Sequence, residues 1–261
     1  MKKRKVIREY KQLTEDMNVL HSQDGNDNVF VIWKWDVLLR AAERVVEKNF
    51  NEYSDINKET VSINDAFDLI ADSINPKMIV GMISTEKIGD NKAWNAHEVR
   101  LAAAEQGYGP MLYDLALSHC KVLTSDRITV SKYAEKVWHY YYTSRRDVEA
   151  LPFDDIEDPK TPPTLDDAIM QDDERDWLNY AYKLKGAPIY DVNKLEKESS
   201  EALHTLILEM YDYVSEIIIG LEDFSSFSLI LESENEIVDK LKEKLMSTSV
   251  LFFNANYGRA R

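Results

Sequence analysis

The spacing of apolar residues changes several times along the chain, and each change marks an element. Residues 29–35 (VFVIWKW) are almost continuously β-branched and aromatic and follow the turn-forming run Asp24-Gly25-Asn26-Asp27-Asn28, which predicts a buried strand. The spacing then lengthens. Val37, Leu38, Ala41, Val45 and Val46 fall near a helical repeat behind Asp36 as N-cap, predicting a helix to about residue 49. A second helix is expected over 62–73, where Ala66, Phe67, Ile70 and Ala71 share one face. Residues 77–84 and 97–104 read as strands. A Gly-Tyr-Gly turn leads into a helix from Pro110 to about Cys120, and 121–124 forms a short strand. Ser131 caps a helix carrying Tyr133, Ala134, Val137, Trp138 and Tyr141, and 148–153 is a further strand.

The pattern then breaks. Residues 154–176 hold ten acidic side chains opposed only by Lys160 and Arg175, with Pro159, Pro162 and Pro163 among them. Such a stretch cannot bury enough apolar surface to order itself and reads as an irregular, solvent-facing linker. Beyond it, residues 193–220 carry a helical stripe through Leu195, Ala202, Leu206, Met210, Tyr213, Val214 and Ile217, with Gly220 as its stop. A shorter amphipathic helix is expected over 234–246, and the apolar run 250–253 reads as a docked strand. The expected organisation is a mixed α/β domain of the α+β kind over 1–153, an acidic linker over 154–192, and a helical region over 193–261.

Composition narrows the function classes. The formal net charge is −15 over 261 residues, from 32 Lys and Arg against 47 Asp and Glu. That lacks the cationic footprint that phosphate backbones require, so no nucleic-acid partner is expected. The single cysteine, Cys120, excludes an internal disulfide and a thiolate metal cluster, which suits a reducing, cytoplasmic setting. No metal site is read from the five histidines, and no apolar run reaches the length of a membrane span. Cys120 beside His119 has the parts of a nucleophile, but a buried, inert thiol is the commoner case.

The segment that can carry chemistry runs from residue 93 to 142. A strand enters Gln106-Gly107-Tyr108-Gly109-Pro110, which opens a helix. Glycines let backbone approach a ligand closely, proline suits the first helical position, and free amides at a helix start favour an anion. These are the parts of a pyrophosphate cradle, although a Gly-x-Gly turn before a helix is often plain turn chemistry.

The order strand, Gly-x-Gly, helix, short strand, helix resembles the GNAT acyltransferase superfamily, whose loop signature is Arg/Gln-x-x-Gly-x-Gly/Ala. Gly107 and Gly109 match its small positions. Ala104 stands at the leading Arg/Gln position, with Gln106 two residues later. The family's later helix often reads Asn-x-x-Ala-x-x-x-Tyr; here those positions are Ser131, Ala134 and Trp138. The segments 107–114, 123–127, 137–141 and 146–149 also resemble little-characterised GNAT-like proteins of tailed bacteriophages.

The resemblance implies a GNAT-like mixed sheet that binds acetyl-CoA or another acyl-CoA and transfers the acyl group to a small-molecule or protein amine. It places the cofactor on Ala104, Gln106, Gly107, Tyr108, Gly109, Pro110 and Ser131. The general base falls on Glu98. Because an indole cannot protonate a thiolate, the role of the family's tyrosine passes to Tyr140 or Tyr141 beside Trp138, with Tyr142 or water as substitutes; core packing is the other reading of this aromatic run. A second reading stays open: a non-enzymatic phage component, in the virion or bound to a host partner, that keeps the fold without its chemistry.

Overall fold

The structure is a computed structural model and describes residues 11–52, 63–87, 96–126, 130–152, 177–219 and 233–257. Its chain order is β1 (Met17–Asp24), β2 (Asp27–Lys34), α1 (Trp35–Glu52), α2 (Ile63–Ser73), β3 (Ile79–Lys87), β4 (His97–Ala104), α3 (Gly109–Cys120), β5 (Val122–Thr124), α4 (Lys132–Ser144), β6 (Val148–Pro152), β7 (Tyr180–Leu184), α5 (Val192–Ile219) and α6 (Glu234–Tyr257). The strands form one seven-stranded mixed sheet in the order β1-β2-β3-β4-β5-β7-β6, so the fold is α+β.

Every neighbouring pair is antiparallel except β4 and β5. That parallel contact is short, linking only His97 to Leu123 and Glu98 to Thr124. The rest of β4 runs on past the end of β5. Register along β3 shifts between Ser84 and Thr85, so that Arg100 has no partner residue on β3. Such a bulge bends the strand and twists it further.

Helices cover both faces. One core joins Phe30, Ile32, Ile83 and Val99 to the buried side chains of α3 and α4. The other joins Val31, Trp33 and Met82 to α1, α2, most of α5 and α6. Trp33 donates its indole N–H to Ser199 Oγ (3.1 Å), pinning α5 to the sheet without leaving a buried donor unpaired. Helix α3 is buried nearly all round and lies close to β3. A Cβ at Gly81 would come within 2.8 Å of Leu112 Cδ1 and 3.0 Å of the Ala103 carbonyl, so glycine is what allows that approach.

Two expectations are corrected. Residues 250–253 are not a strand: α6 continues through them to Tyr257, and Leu241, Leu245 and Phe252 are buried at helical spacing. The span 154–192 is not linker throughout, because Tyr180–Leu184 is inserted in the sheet between β5 and β6. The acidic stretch 154–176 and the basic cluster before residue 11 lie outside the described residues. Among the described residues no helix is long and apolar enough to cross a membrane.

Candidate functional site

Beside the end of β4, well past its short pairing with β5, a cavity of about 660 Å³ opens. Its walls are the end of β4 (Ala102, Ala103, Ala104), the turn Glu105-Gln106-Gly107, the first turn of α3, the first turns of α4, and Asn256 near the end of α6. Two helix N-termini therefore border one cleft. The first-turn amides of a helix have no carbonyl of their own to bond, and Pro110 removes one of those donors. The amides of Gly109 and Met111 fall in that turn, before the first helical bond from Leu112 N–H to the Tyr108 carbonyl (3.2 Å).

The turn itself is set by backbone. Gly107 has φ +96°, a conformation that side chains rarely adopt. Its carbonyl accepts from the Lys11 N–H (3.1 Å), and the Lys11 methylenes pack over its α-carbon while the ammonium sits 4.5 Å from the Tyr108 ring centre. At Gly109 the surroundings are open: a Cβ there would meet only Val137 Cγ2, at 4.0 Å. Backbone at the start of α3 is thus approachable from the cleft. On α4, Ser131 Oγ accepts from Ala134 N–H (3.2 Å), as its N-cap role predicts, and leaves its own hydroxyl proton to donate.

Charge in the cleft departs from that of the molecule. Glu105 is held by Lys34, whose Nζ lies 2.8 and 2.9 Å from its two carboxylate oxygens. Lys136 also lines the cleft; its ammonium rests over the Tyr133 ring at 5.3 Å and pairs with no carboxylate among the described residues. An otherwise acidic chain therefore presents a cation, a neutralised carboxylate and two helix N-termini at this one place.

Of the cofactor-binding candidates, Ala104, Gln106, Gly107, Gly109, Pro110 and Ser131 all line the cleft. Tyr108 does not: its ring is in the core under Lys11. The three catalytic candidates are not brought to it either. Glu98 is 4% exposed, lies on the stretch of β4 that pairs with β5, and is bound to Arg100 Nη1 (3.0 Å). Tyr141 is 1% exposed and donates its hydroxyl to Asp114 Oδ1 (2.5 Å), which also accepts from Arg145 Nη1 (2.6 Å). Tyr140 lies beside Tyr141 on α4, away from the cleft walls, and burial pushes its pKa up, partly countered by Arg145. Trp138 is core: it stacks on Tyr182 with ring centres 5.3 Å apart.

Sequence reading missed Tyr113, Tyr133, Lys136 and Asn256 as cleft residues. Tyr133 and Lys136 carried a readable signal, since they lie two and five residues after the cap Ser131. Asn256 carried none, because it arrives from a distant helix. Tyr113 is buried, which raises its pKa and makes it a weaker acid than free tyrosine. The Cys120 thiol sits 3.5 Å from Thr85 Oγ1, and burial pushes it up to about 11, so it is not a thiolate near neutrality. Among the described residues no group of three or more His, Cys, Asp or Glu is placed to hold a metal ion. Searched against known proteins, the chain matches no family model, no curated protein and no solved structure.

Proposed function

We propose that this chain is a GNAT-like N-acyltransferase that takes acetyl-CoA or a similar thioester as donor and an amine as acceptor. The observation that carries the reading is the cleft beside the end of β4, with the Gln106–Gly109 turn and two helix N-termini on its walls. Those amides suit a pyrophosphate, and the open space at Gly109 lets it approach. The edge of β4 beyond Glu98 offers strand-type hydrogen bonds to an extended pantetheine arm. In the transfer the amine nitrogen forms a bond to the acyl carbon, the carbon–sulfur bond breaks, the amine releases a proton, and the departing thiolate gains one. Neither Tyr140 nor Tyr141 reaches the cleft, so water supplies the thiolate's proton in this reading. The molecule's negative field favours a cationic amine as acceptor.

A second reading has an observation of its own. Glu98, Tyr140 and Tyr141 all stand off the cleft, as a fold retained for binding without turnover would have them. Calorimetric titration with CoA and acetyl-CoA tests the shared premise. No heat at millimolar ligand removes the acyltransferase and leaves a non-enzymatic component of phage or host-interaction type. Binding together with thiol release in the presence of an amine panel supports the enzyme; binding without release supports the second reading.

A further inference from the structure

The cradle accounts for a pyrophosphate, but the cleft continues along α4 to two residues that a pyrophosphate does not need. Tyr133 lines the cleft and is nevertheless 67% exposed, an unusual state for a large aromatic ring. Lys136, one turn further on the same helix, places its ammonium over one face of that ring (5.3 Å). No ion pair with a described residue claims this lysine. With the ring 67% exposed, aromatic surface is left for a planar group, and the ammonium is near enough to serve an anion attached to that group.

Resting on the CoA reading above, we infer that Tyr133 and Lys136 form the seat for the nucleotide end of the ligand. Tyr133 stacks on the purine, and Lys136 takes the phosphate on the ribose, apart from the pyrophosphate. Aromatic rings stack on any base, so Tyr133 contributes affinity without choosing the ligand. Choice comes from Lys136, whose charge-assisted contact exists only when the 3′-phosphate is present. The cleft should therefore distinguish CoA from dephospho-CoA, which shares the purine and lacks that phosphate.

Three ligands and two variants test this by calorimetry on the full chain: CoA, dephospho-CoA and 4′-phosphopantetheine against wild type, Lys136→Gln and Tyr133→Ala. Both residues are at the surface, and circular dichroism checks that the variants fold. Wild type is expected to bind CoA about tenfold more tightly than dephospho-CoA, the worth of one charge-assisted hydrogen bond. Lys136→Gln should bring that ratio close to one. Tyr133→Ala should weaken CoA and dephospho-CoA alike and leave 4′-phosphopantetheine unchanged. Equal wild-type affinities, or a ratio that Lys136→Gln does not move, overturn the seat while leaving the cradle standing. Wild-type protein that binds none of the three overturns the acyl-CoA reading and the seat together.

Discussion

A backbone dihedral and an open α-carbon make two glycines of the same turn behave differently. Gly107 is at φ +96°, so Gly107→Ala should cost about 1–3 kcal/mol of stability in urea unfolding whether or not a ligand binds there. At Gly109 a methyl group would meet only Val137 Cγ2 at 4.0 Å. Gly109→Ala should leave stability unchanged and keep CoA affinity within about tenfold. Gly109→Asp places a carboxylate where two helix N-termini favour an anion, and should abolish detectable CoA binding. If calorimetry finds that Gly109→Asp binds CoA as wild type does, the pyrophosphate is not at this turn. A third residue carries strain of its own. Lys121 ends α3 at φ 70°, donating its amide to the Leu117 carbonyl (3.0 Å), and it is exposed. Glycine adopts that conformation without penalty, so Lys121→Gly should raise stability by up to about 1 kcal/mol.

At the scale of elements, α3 and α4 are joined by a buried polar contact. Asp114 on α3 accepts from Tyr141 of α4 and from Arg145 just after it, while Arg145 also grips Asp147 through Nε (2.8 Å) and Nη2 (2.7 Å). Removing the cation leaves a buried carboxylate uncompensated, so Arg145→Ala should cost about 3–5 kcal/mol. Tyr141→Phe, which deletes one hydrogen bond, should cost only about 1–2 kcal/mol. A similar small loss in both would show that water reaches Asp114. This contact also explains what sequence could reveal. The helix and the aromatic run of α4 were legible from period and capping, because local spacing decides them. That Tyr141 points at Asp114 and not into the cleft depends on how two helices pack, and no local pattern encodes it. β7 was missed for a related reason: Tyr180–Leu184 is short, buries the adjacent Ala181 and Tyr182 and so shows no clean two-residue alternation, and lies just after an acidic stretch that dominates any reading of the region. Residues 250–253 read as a strand by composition, yet they extend a helix already begun at Glu234 and place Phe252 and Phe253 against the sheet. The strand, Gly-x-Gly and helix that frame the cleft were legible because turn chemistry is local.

For the molecule as a whole, two electrostatic effects of acidification oppose each other. The net charge of −15 makes the folded chain repel itself, and protonation relieves that repulsion. Against it stands a cluster joining β1, β2, β4 and the end of α3. The His21 and His119 rings lie 4.3 Å apart, Phe30 stacks on His21 at 4.6 Å, and the Asn28 amide bridges His21 Nε2 (3.0 Å) and His97 Nδ1 (3.4 Å). Burial first, and then the neighbouring histidines, lower the His119 pKa; burial and then Lys87 lower that of His97. With their folded pKa values below the unfolded value of 6.5, these groups bind protons more readily once the chain unfolds. Their contribution to stability is complete above pH 6.5 and declines as pH falls from there towards their folded values. The local term should win, since the cost of placing charge on partly buried imidazoles, which leads both shifts, is not shared by charges spread over the exposed surface. Asp147 does not interfere, because Arg145 holds its carboxyl below 3.8 and its own loss comes at lower pH. The urea midpoint should therefore fall between pH 7.5 and 5.5 at constant ionic strength, and His119→Gln should flatten that slope. A midpoint that rises on acidification would show that relief of the overall repulsion outweighs the cluster.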